Sequence, residues 1–205
     1  MEEREVYIVE KAGELFKKYG IKSVSMDDIA QNLGISKKTL YNFFCDKAQL
    51  VKKVIGEYNC KTDEKFNNVI SQNLNAIDKL LEVSKYLTEM LKEINPVIMY
   101  DLKKYYPELM KELVDDRRAH IFENIKLNIE KGISEGLYRT DMNADIISSI
   151  YVSRMDDAIF EGKSYQKEYE QENYFNEFFT YHIRGIASAK GIKYYENKIK
   201  NEALI

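Results

Sequence analysis

The sequence predicts an all-α protein, because helical periodicity is widespread and residues that break helices are scarce. Apolar residues recur at i, i+3 and i+4 along most of the chain, and no segment sustains the alternation of a half-buried strand. The 205 residues include only two prolines and nine glycines. We expect about nine helices, divided between a three-helix head at residues 1–50 and a larger helical bundle at residues 51–205.

The composition is that of a globular protein without a membrane segment. Apolar residues make up 44% of the chain and charged residues 32%, which differs from disordered chains. No apolar run approaches the roughly 20 residues that span a bilayer, and the charged start, MEERE, is unlike a signal peptide. Cys45 and Cys60 have no spacing typical of zinc ligands or of a disulfide framework. We therefore expect a cytoplasmic protein with no metal, no cofactor and no membrane partner.

The charge of the chain is unevenly distributed. Residues 17–53 contain eight lysines and three aspartates, so this window carries +5 while the rest of the chain carries −8. A basic module joined to an acidic body favours contact between one end and an anionic polymer. Chance clustering of lysines on solvated helix faces is the alternative, and charge alone does not separate the two.

Stop and capping residues divide the head into its helices. The first helix is predicted at residues 3–19, and Gly20 ends it. Its inward face is expected to comprise Val9, Ala12, Phe16 and Tyr19. Ser25 and Asp28 form the S-x-x-D signal that begins the second helix, whose buried stripe ends before Gly34. That stripe is expected to comprise Met26, Ile29, Ala30 and Leu33.

Two further caps begin the third and fourth helices. Ser36 caps a short helix whose inward residues are Leu40 and either Phe43 or Phe44. Asp46 caps the next helix, with Gln49 in the reciprocal position. The segment 25–44, SMDDIAQNLGISKKTLYNFF, thus places two short helices around a tight turn, which is the layout of a helix-turn-helix.

The outward face of the third helix has the chemistry of a recognition helix, whose first turn reaches base edges in the major groove. Lysines suit phosphates, an asparagine amide pairs with adenine, and a helix N-terminus favours a phosphate. The candidate DNA-binding residues are Ser25, Ser36, Lys37, Lys38, Thr39, Tyr41, Asn42 and Lys47. Taken singly, each is also explained as an ordinary cap or a solvated lysine; the interpretation depends on their conjunction.

Residues 5–54 closely resemble the DNA-binding head of the TetR (tetracycline-repressor-like) family. The resemblance is carried by LFKKYGIKSVSM, then DDIAQNLGISKKTLYNFF, then DKAQLV. It implies a dimer on a double-stranded, pseudo-palindromic operator and a C-terminal body that binds a small molecule; repression is the family default. The family's DNA contacts fall on Ser25, Lys37, Lys38, Thr39, Tyr41, Asn42 and Lys47. Lys38 departs from the small residue that many members have there, so the operator sequence does not carry over.

The body continues the helical pattern, with helices expected at 75–92, at 107–136 after a first-turn proline, and at about 144–161 and 170–189. Asn143 is predicted to cap the third of these. An aromatic stripe on the last helix is our candidate dimer interface, because it is too apolar to stay in water. The stripe comprises Tyr174, Phe175, Phe178, Phe179, His182 and Ile186. A role in the core of one chain is the alternative.

The ligand of the body is not identified by the sequence. Arg154 shares a helix face with apolar residues, so its charge either meets an anionic ligand group or pairs on the surface with Asp157. Adaptable aromatic and thioether side chains form the rest of a candidate pocket, although they equally suit a plain core. The candidate pocket residues are Tyr86, Met90, Tyr100, Phe122, Tyr151, Arg154 and Met155.

Other classes of protein are disfavoured. The residues three before His120 and His182 are Arg117 and Phe179, so the Glu-x-x-His pairs of a di-iron bundle are missing. No H-E-x-x-H, P-loop or G-x-G-x-x-G motif occurs, and we expect no catalysis. The remaining alternatives are a TetR-fold interaction protein that does not bind an operator and a ligand-dependent activator.

Overall fold

The computed structural model of the chain describes residues 3–93, 95–156 and 171–202. These residues form ten helices, and the described part of the chain contains no β-strand. The helices are α1 (Glu3–Tyr19), α2 (Met26–Asn32), α3 (Lys37–Phe43), α4 (Lys47–Ile70), α5 (Ala76–Glu93), α6 (Pro96–Tyr105), α7 (Pro107–Ser134), α8 (Ala144–Asp156), α9 (Gln171–Ile186) and α10 (Ala189–Glu202). The predicted all-α class is confirmed.

The chain divides into two compact units, and α4 and α7 each run from one into the other. The N-terminal unit comprises Met1–Lys65 and Ile94–Leu113, and the C-terminal unit comprises Phe66–Glu93 and Val114–Ile205. The N-terminal unit therefore adds most of α4, all of α6 and the first turns of α7 to the three-helix head. Our division at residue 50 remains a prediction about which residues bind DNA.

The N-terminal unit is built on a core from its first four helices. The most buried side chains are Ile8, Ala12, Phe16, Ile21, Ile29, Leu40, Phe44, Leu50 and Val51. Gly20 ends α1 with a φ of +83°, and its N–H donates to the Phe16 carbonyl at 2.9 Å. Tyr19 was expected on the inward face, but this side chain is 52% exposed. Tyr19 is the last residue of α1, and the Lys18 ammonium lies 4.9 Å from the centroid of its ring.

Helix α6 was not predicted, and it packs within the N-terminal unit. Asn95 caps it by accepting from the N–H groups of Val97 and Ile98, and Pro96 takes the first helical position. Asp101 is buried and accepts a 2.8 Å hydrogen bond from the Lys22 N–H in the α1–α2 turn. The amide of Asn95 donates to the Lys17 carbonyl. The bond from Asn95 satisfies a carbonyl that the end of α1 leaves without a helical partner, and the bond to Asp101 satisfies an N–H of the turn that follows.

The C-terminal unit has its own core, in which α9 packs against α5. Its most buried apolar side chains include Ile77, Leu80, Ile129, Phe179 and Ile183. Helix α10 is fixed by polar contacts: the Tyr194 hydroxyl donates to Asp78 at 2.6 Å and accepts from the Asn75 amide at 2.8 Å. None of the described helices is long and apolar enough to cross a membrane.

The turn after α7 is closed by a buried tyrosine. Tyr138 is 1% exposed, and its hydroxyl donates to Asn128 at 3.0 Å. The Asn128 amide in turn donates to the Ala76 carbonyl. A Cβ atom at Gly132 would lie 2.0 Å from the Tyr138 ring, so only glycine allows the ring this position. Asn143 then caps α8 as predicted, accepting from the Ile146 N–H at 3.1 Å.

Candidate nucleic-acid interface

The N-terminus of α2 is closed by the reciprocal cap that the sequence predicts. The Ser25 hydroxyl accepts from the Asp28 N–H at 3.1 Å, and the Ser25 N–H donates to the Asp28 carboxylate at 2.8 Å. Hydrogen bonds from the Ser25 side chain and backbone lower the pKa of Asp28. This exchange satisfies two backbone groups and fixes where α2 begins.

The turn between α2 and α3 uses glycine for its backbone conformation. Gly34 has a φ of +64°, a region that other residues adopt only with strain. The Gly34 N–H donates to Gln31 at 3.1 Å and the Ile35 N–H to Ala30 at 3.0 Å, which closes the end of α2. Ile35 is half-buried between the two helices.

Helix α3 is short, and its buried residues show which of its sides is exposed. Ser36 caps it by accepting from the Thr39 N–H at 3.0 Å. Leu40 is fully buried, and Phe44, just after the helix, is 1% exposed. Of the two phenylalanines that the sequence left open, Phe44 is thus the core residue, while Phe43 is half-buried.

Four candidate residues share the exposed side of α3: Lys37, Lys38, Tyr41 and Asn42. They form two i, i+4 pairs, so their side chains lie next to one another along the helix. Thr39 is half-buried, and its hydroxyl lies 2.8 Å from that of Ser36. Thr39 therefore reinforces the cap, and its hydroxyl is engaged within the helix.

Lys37 is not a free cation in this structure. Its ammonium lies 2.8 Å from one carboxylate oxygen of Asp27 and 3.1 Å from the other. The hydrogen bond with Asp27 raises the pKa of Lys37. Both side chains are exposed, so the pair is screened by salt and joins α2 to α3 only weakly.

Lys47 lies at the start of α4 and is held by the α1–α2 turn. Its ammonium donates to the Ile21 carbonyl at 2.6 Å. Burial, and secondarily the charge of Lys22, lower the pKa of Lys47. An ammonium has three donors, so this bond leaves two for a phosphate. The Asp46 cap is present, but Gln49 accepts from the Cys45 N–H, one residue before the predicted position.

The predicted pocket residues do not all lie together. Tyr86 and Met90 are in α5, Phe122 in α7 and Tyr151 in α8, all within the C-terminal unit. Phe122 borders an open groove of about 470 Å³ between α7 and α8. Tyr100 instead lies in the N-terminal unit, 56% exposed, where its hydroxyl accepts from Lys104. Arg154 and Met155 are in α8, and their side chains lie outside the described residues.

The predicted aromatic stripe lies on α9, but much of it faces the core of its own chain. Phe179 and Ile186 are 2% and 3% exposed in a single copy. Phe178 and His182 are half-buried, and the side chains of Tyr174 and Phe175 lie outside the described residues. Exposed apolar residues that the predicted interface did not include lie on the same two helices: Ile146 and Ile150 of α8 and Tyr181 of α9.

Comparison with known proteins agrees with this geometry. Residues 8–54 match the family model described as bacterial regulatory proteins, tetR family. Over 93 residues the chain is 30% identical to the uncharacterized HTH-type transcriptional regulator YvaF of Bacillus subtilis, covering 45% of this chain and 48% of YvaF. This match thus spans about half of that relative.

Two similarities extend into the body. The chain is 22% identical over 143 residues to the HTH-type transcriptional repressor KstR2 of Mycolicibacterium smegmatis, covering 68% of this chain and 70% of KstR2. A crystal structure of a transcriptional regulator from Cytophaga hutchinsonii superposes with a TM-score of 0.71 at 17% identity, over 89% of this chain and 97% of that one. At this identity the structural similarity shows the fold alone.

Proposed function

We propose that this chain is a TetR-family, homodimeric repressor whose DNA affinity is lowered by a small-molecule effector. In this proposal the dimer binds a pseudo-palindromic operator, and the effector binds the C-terminal unit. The observation that carries the proposal is the exposed side of α3, where two lysines, a tyrosine and an asparagine lie together on a helix capped at its start. The repressor KstR2, similar over two thirds of the chain, supports the direction of control.

The exposed side chains of α3 differ in the part of DNA that they suit, which is either a base edge or a phosphate. The Asn42 amide matches the donor and acceptor of adenine in the major groove. Lys38 and the Tyr41 hydroxyl suit phosphates, which give affinity without sequence preference. Lys37 contributes once DNA displaces Asp27 from it, because a phosphate competes directly with an exposed carboxylate. Lys47 adds a phosphate contact at the start of α4, and Ser25 adds one at the start of α2 once a phosphate displaces the Asp28 carboxylate from its hydroxyl.

Removing two phosphate contacts from α3 is expected to weaken DNA binding strongly. We expect the double substitution Lys38→Ala/Tyr41→Ala to weaken binding to the protein's own upstream intergenic DNA by roughly 100-fold or more, since each hydrogen bond to a charged phosphate contributes about 1.5–3 kcal/mol. Fluorescence anisotropy at two salt concentrations measures this loss, with an unrelated fragment as competitor.

The matched control removes the same residue types from α6. Lys104→Ala/Tyr100→Ala deletes an exposed lysine–tyrosine pair joined by a 2.8 Å hydrogen bond, and we expect it to bind as the parent does. Equal losses in both variants would contradict a specific role for α3. Equally weak binding of the parent to every fragment would instead favour an interaction protein that keeps this fold.

The dimer is proposed to form through the outward faces of α8 and α9. Ile146 and Ile150 are 58% and 56% exposed, and Tyr181 is 81% exposed. Because Phe179 and Ile186 are already covered within one chain, the proposed interface moves to these exposed neighbours. Two helices from each copy would make a four-helix bundle that removes this apolar surface from water.

A charge placed in this surface is expected to separate the dimer. We expect Ile146→Glu/Ile150→Glu to run as a monomer in light scattering at a concentration where the parent is a dimer, because two carboxylates would lose their hydration in the interface. Unchanged helicity in circular dichroism confirms folding. Leu127→Glu, at a 60% exposed position of α7, is the control. If Ile146→Glu/Ile150→Glu stays dimeric, this face is excluded as the dimer interface.

Release by an effector is proposed to be a shift between two dimer geometries. One geometry places the two α3 helices at successive major grooves, and the other does not. An effector that prefers the second by a few kcal/mol moves most of the population off DNA. A ligand-dependent activator is the alternative, and it predicts that DNA binding increases when the effector is added.

A further inference from the structure

Three buried polar atoms in the C-terminal unit have no hydrogen-bond partner. They are the Ser148 hydroxyl, the Tyr151 hydroxyl and Nε2 of His182, each unpaired within the described part of the chain. The other such atom, an Asp78 carboxylate oxygen, lies 3.4 Å from the Lys198 ammonium and so has a countercharge. Buried polar groups in native proteins are almost always paired, so an unpaired group needs an explanation.

The three groups share one region of the unit. Ser148 and Tyr151 are one turn apart on α8, which places them on the same side of that helix. They are 0% and 3% exposed, so this side faces the interior of their own chain. The Tyr151 ring meets the His182 ring of α9 with centroids 4.6 Å apart. The two rings touch, yet their polar atoms do not bond to each other.

Other buried polar groups of the same unit are satisfied. Thr88 donates to the Ser84 carbonyl at 3.0 Å, and Asn128 donates to Ala76 while accepting from Tyr138. The unpaired groups are therefore a local feature of α8 and α9, not a general property of this core. Their neighbours are aromatic: the Tyr151 ring lies 5.1 Å from Phe178 and 6.0 Å from Phe179, between centroids.

Among the residues that the structure describes, this region carries no buried charge. The buried polar side chains described in the C-terminal unit are Ser84, Thr88, Asn128 and Ser148, all uncharged. Burial lowers the pKa of His182 to about 4 and raises the pKa of Tyr151 well above its ordinary value, so both are neutral near pH 7. A charged guest here would lose its hydration without gaining a countercharge from the buried residues that the structure describes.

We propose that Ser148, Tyr151 and His182 form the polar end of the effector site, and that the effector is an uncharged molecule with an apolar body and one hydrogen-bonding group, such as a carbonyl. The hydroxyls donate to the carbonyl, and the aromatic rings hold the apolar body. The inference rests on the proposed function, since it assigns a ligand class to the same regulator.

The test uses four probes of one size that differ in charge and polarity: acetophenone, ethylbenzene, benzoate and benzylammonium. The chain has only two histidines, so side-chain NMR of histidine-labelled full-length protein resolves both. His182 reports on the site, and His120, which is exposed, is the internal control. We expect acetophenone to shift the His182 resonances saturably at pH 7.5 and to leave His120 unchanged. Ethylbenzene should bind more weakly, and neither ion should bind.

Two matched variants separate a ligand contact from a structural role. Tyr151→Phe removes a hydroxyl that has no partner, so we expect an unchanged or higher thermal midpoint and about tenfold weaker acetophenone binding. Tyr138→Phe removes a hydroxyl that donates to Asn128, so we expect a lower midpoint and unchanged acetophenone binding.

Several outcomes would overturn the inference: no His182 shift with any probe, equal binding of ethylbenzene, preference for either ion, or parallel shifts of both histidines. The experiment contains no DNA, so it is independent of the proposed regulator. If the chain binds acetophenone but no operator, the result supports the site and contradicts the proposed function. A chain that binds an operator but no acetophenone would do the reverse.

Discussion

Replacing Gly132 with alanine is expected to lower the free energy of unfolding by about 3 kcal/mol. The new Cβ would lie 2.0–2.5 Å from three carbons of the Tyr138 ring, closer than any real contact. The ring is buried and held by its hydrogen bond to Asn128, so it relaxes only by disturbing the turn after α7. Urea unfolding followed by circular dichroism measures the loss.

Gly56 provides the matched control for this substitution. It is also inside a helix, α4, but a Cβ there meets nothing within 4 Å. Gly56→Ala should therefore gain about 0.5–1 kcal/mol, because alanine restricts the unfolded chain and favours the helix. A lower free energy of unfolding for Gly132→Ala together with a higher one for Gly56→Ala would support the packing of Tyr138 against Gly132. Equal changes in the two variants would contradict it.

Acid is expected to destabilise the protein through His182. Burial lowers the folded-state pKa of this imidazole to about 4 from the ordinary 6.5, so the unfolded chain takes up a proton first. Stability is thus complete above pH 6.5 and falls as the pH decreases towards 4. The shift corresponds to about 3 kcal/mol in full, of which about 2 kcal/mol is lost between pH 7.5 and pH 5.

The pH dependence is assigned by comparing two histidine variants at one fixed protein concentration. His182→Leu should remove most of the loss between pH 7.5 and pH 5, because leucine has no proton to gain. His120→Leu should keep it, because that side chain is exposed. If the parent and His182→Leu lost equal stability over this range, a different group would be responsible.

Much of the N-terminal unit was predictable because its signals are local. A cap joins residues three apart, and a glycine turn depends on one backbone conformation. The Ser25–Asp28 exchange, the Ser36 cap and the turn at Gly34 are therefore all readable from sequence, and the structure contains each of them. The Asn143 cap and the proline start of α7 follow the same reasoning.

The two helices that were missed also had signals, although weaker ones. Helix α6 begins with Asn95 and Pro96, a cap followed by a first-position proline. Its ten residues lie between a longer helix and another proline, so the segment resembled a connection. Helix α10 is capped by Ser188, whose hydroxyl accepts from the Gly191 N–H. The sequence analysis ended the preceding helix at about residue 189 and predicted no helix after it, whereas the structure breaks the chain at the Tyr138–Ala187 bridge and begins α10 at Ala189.

Side-chain partners distant in sequence were beyond prediction. The pairing of Lys37 with Asp27 depends on the crossing of α2 and α3. Helix α9 is a second example. Its aromatic pattern predicted an apolar helix, but the pattern did not show which face of that helix is covered by other helices of the same chain. Tyr181, an aromatic residue of this helix that is 81% exposed, was absent from the predicted stripe.

A hydroxyl-radical footprint on the protein's own upstream intergenic DNA tests the central claim most directly. A dimer that reads DNA through two α3 helices predicts two symmetric protected half-sites, about one helical turn or a whole multiple apart. Lys38→Ala/Tyr41→Ala should remove both together. Protection of a single half-site, or protection that persists in the variant, would contradict a regulator that binds its operator as a symmetric dimer through α3.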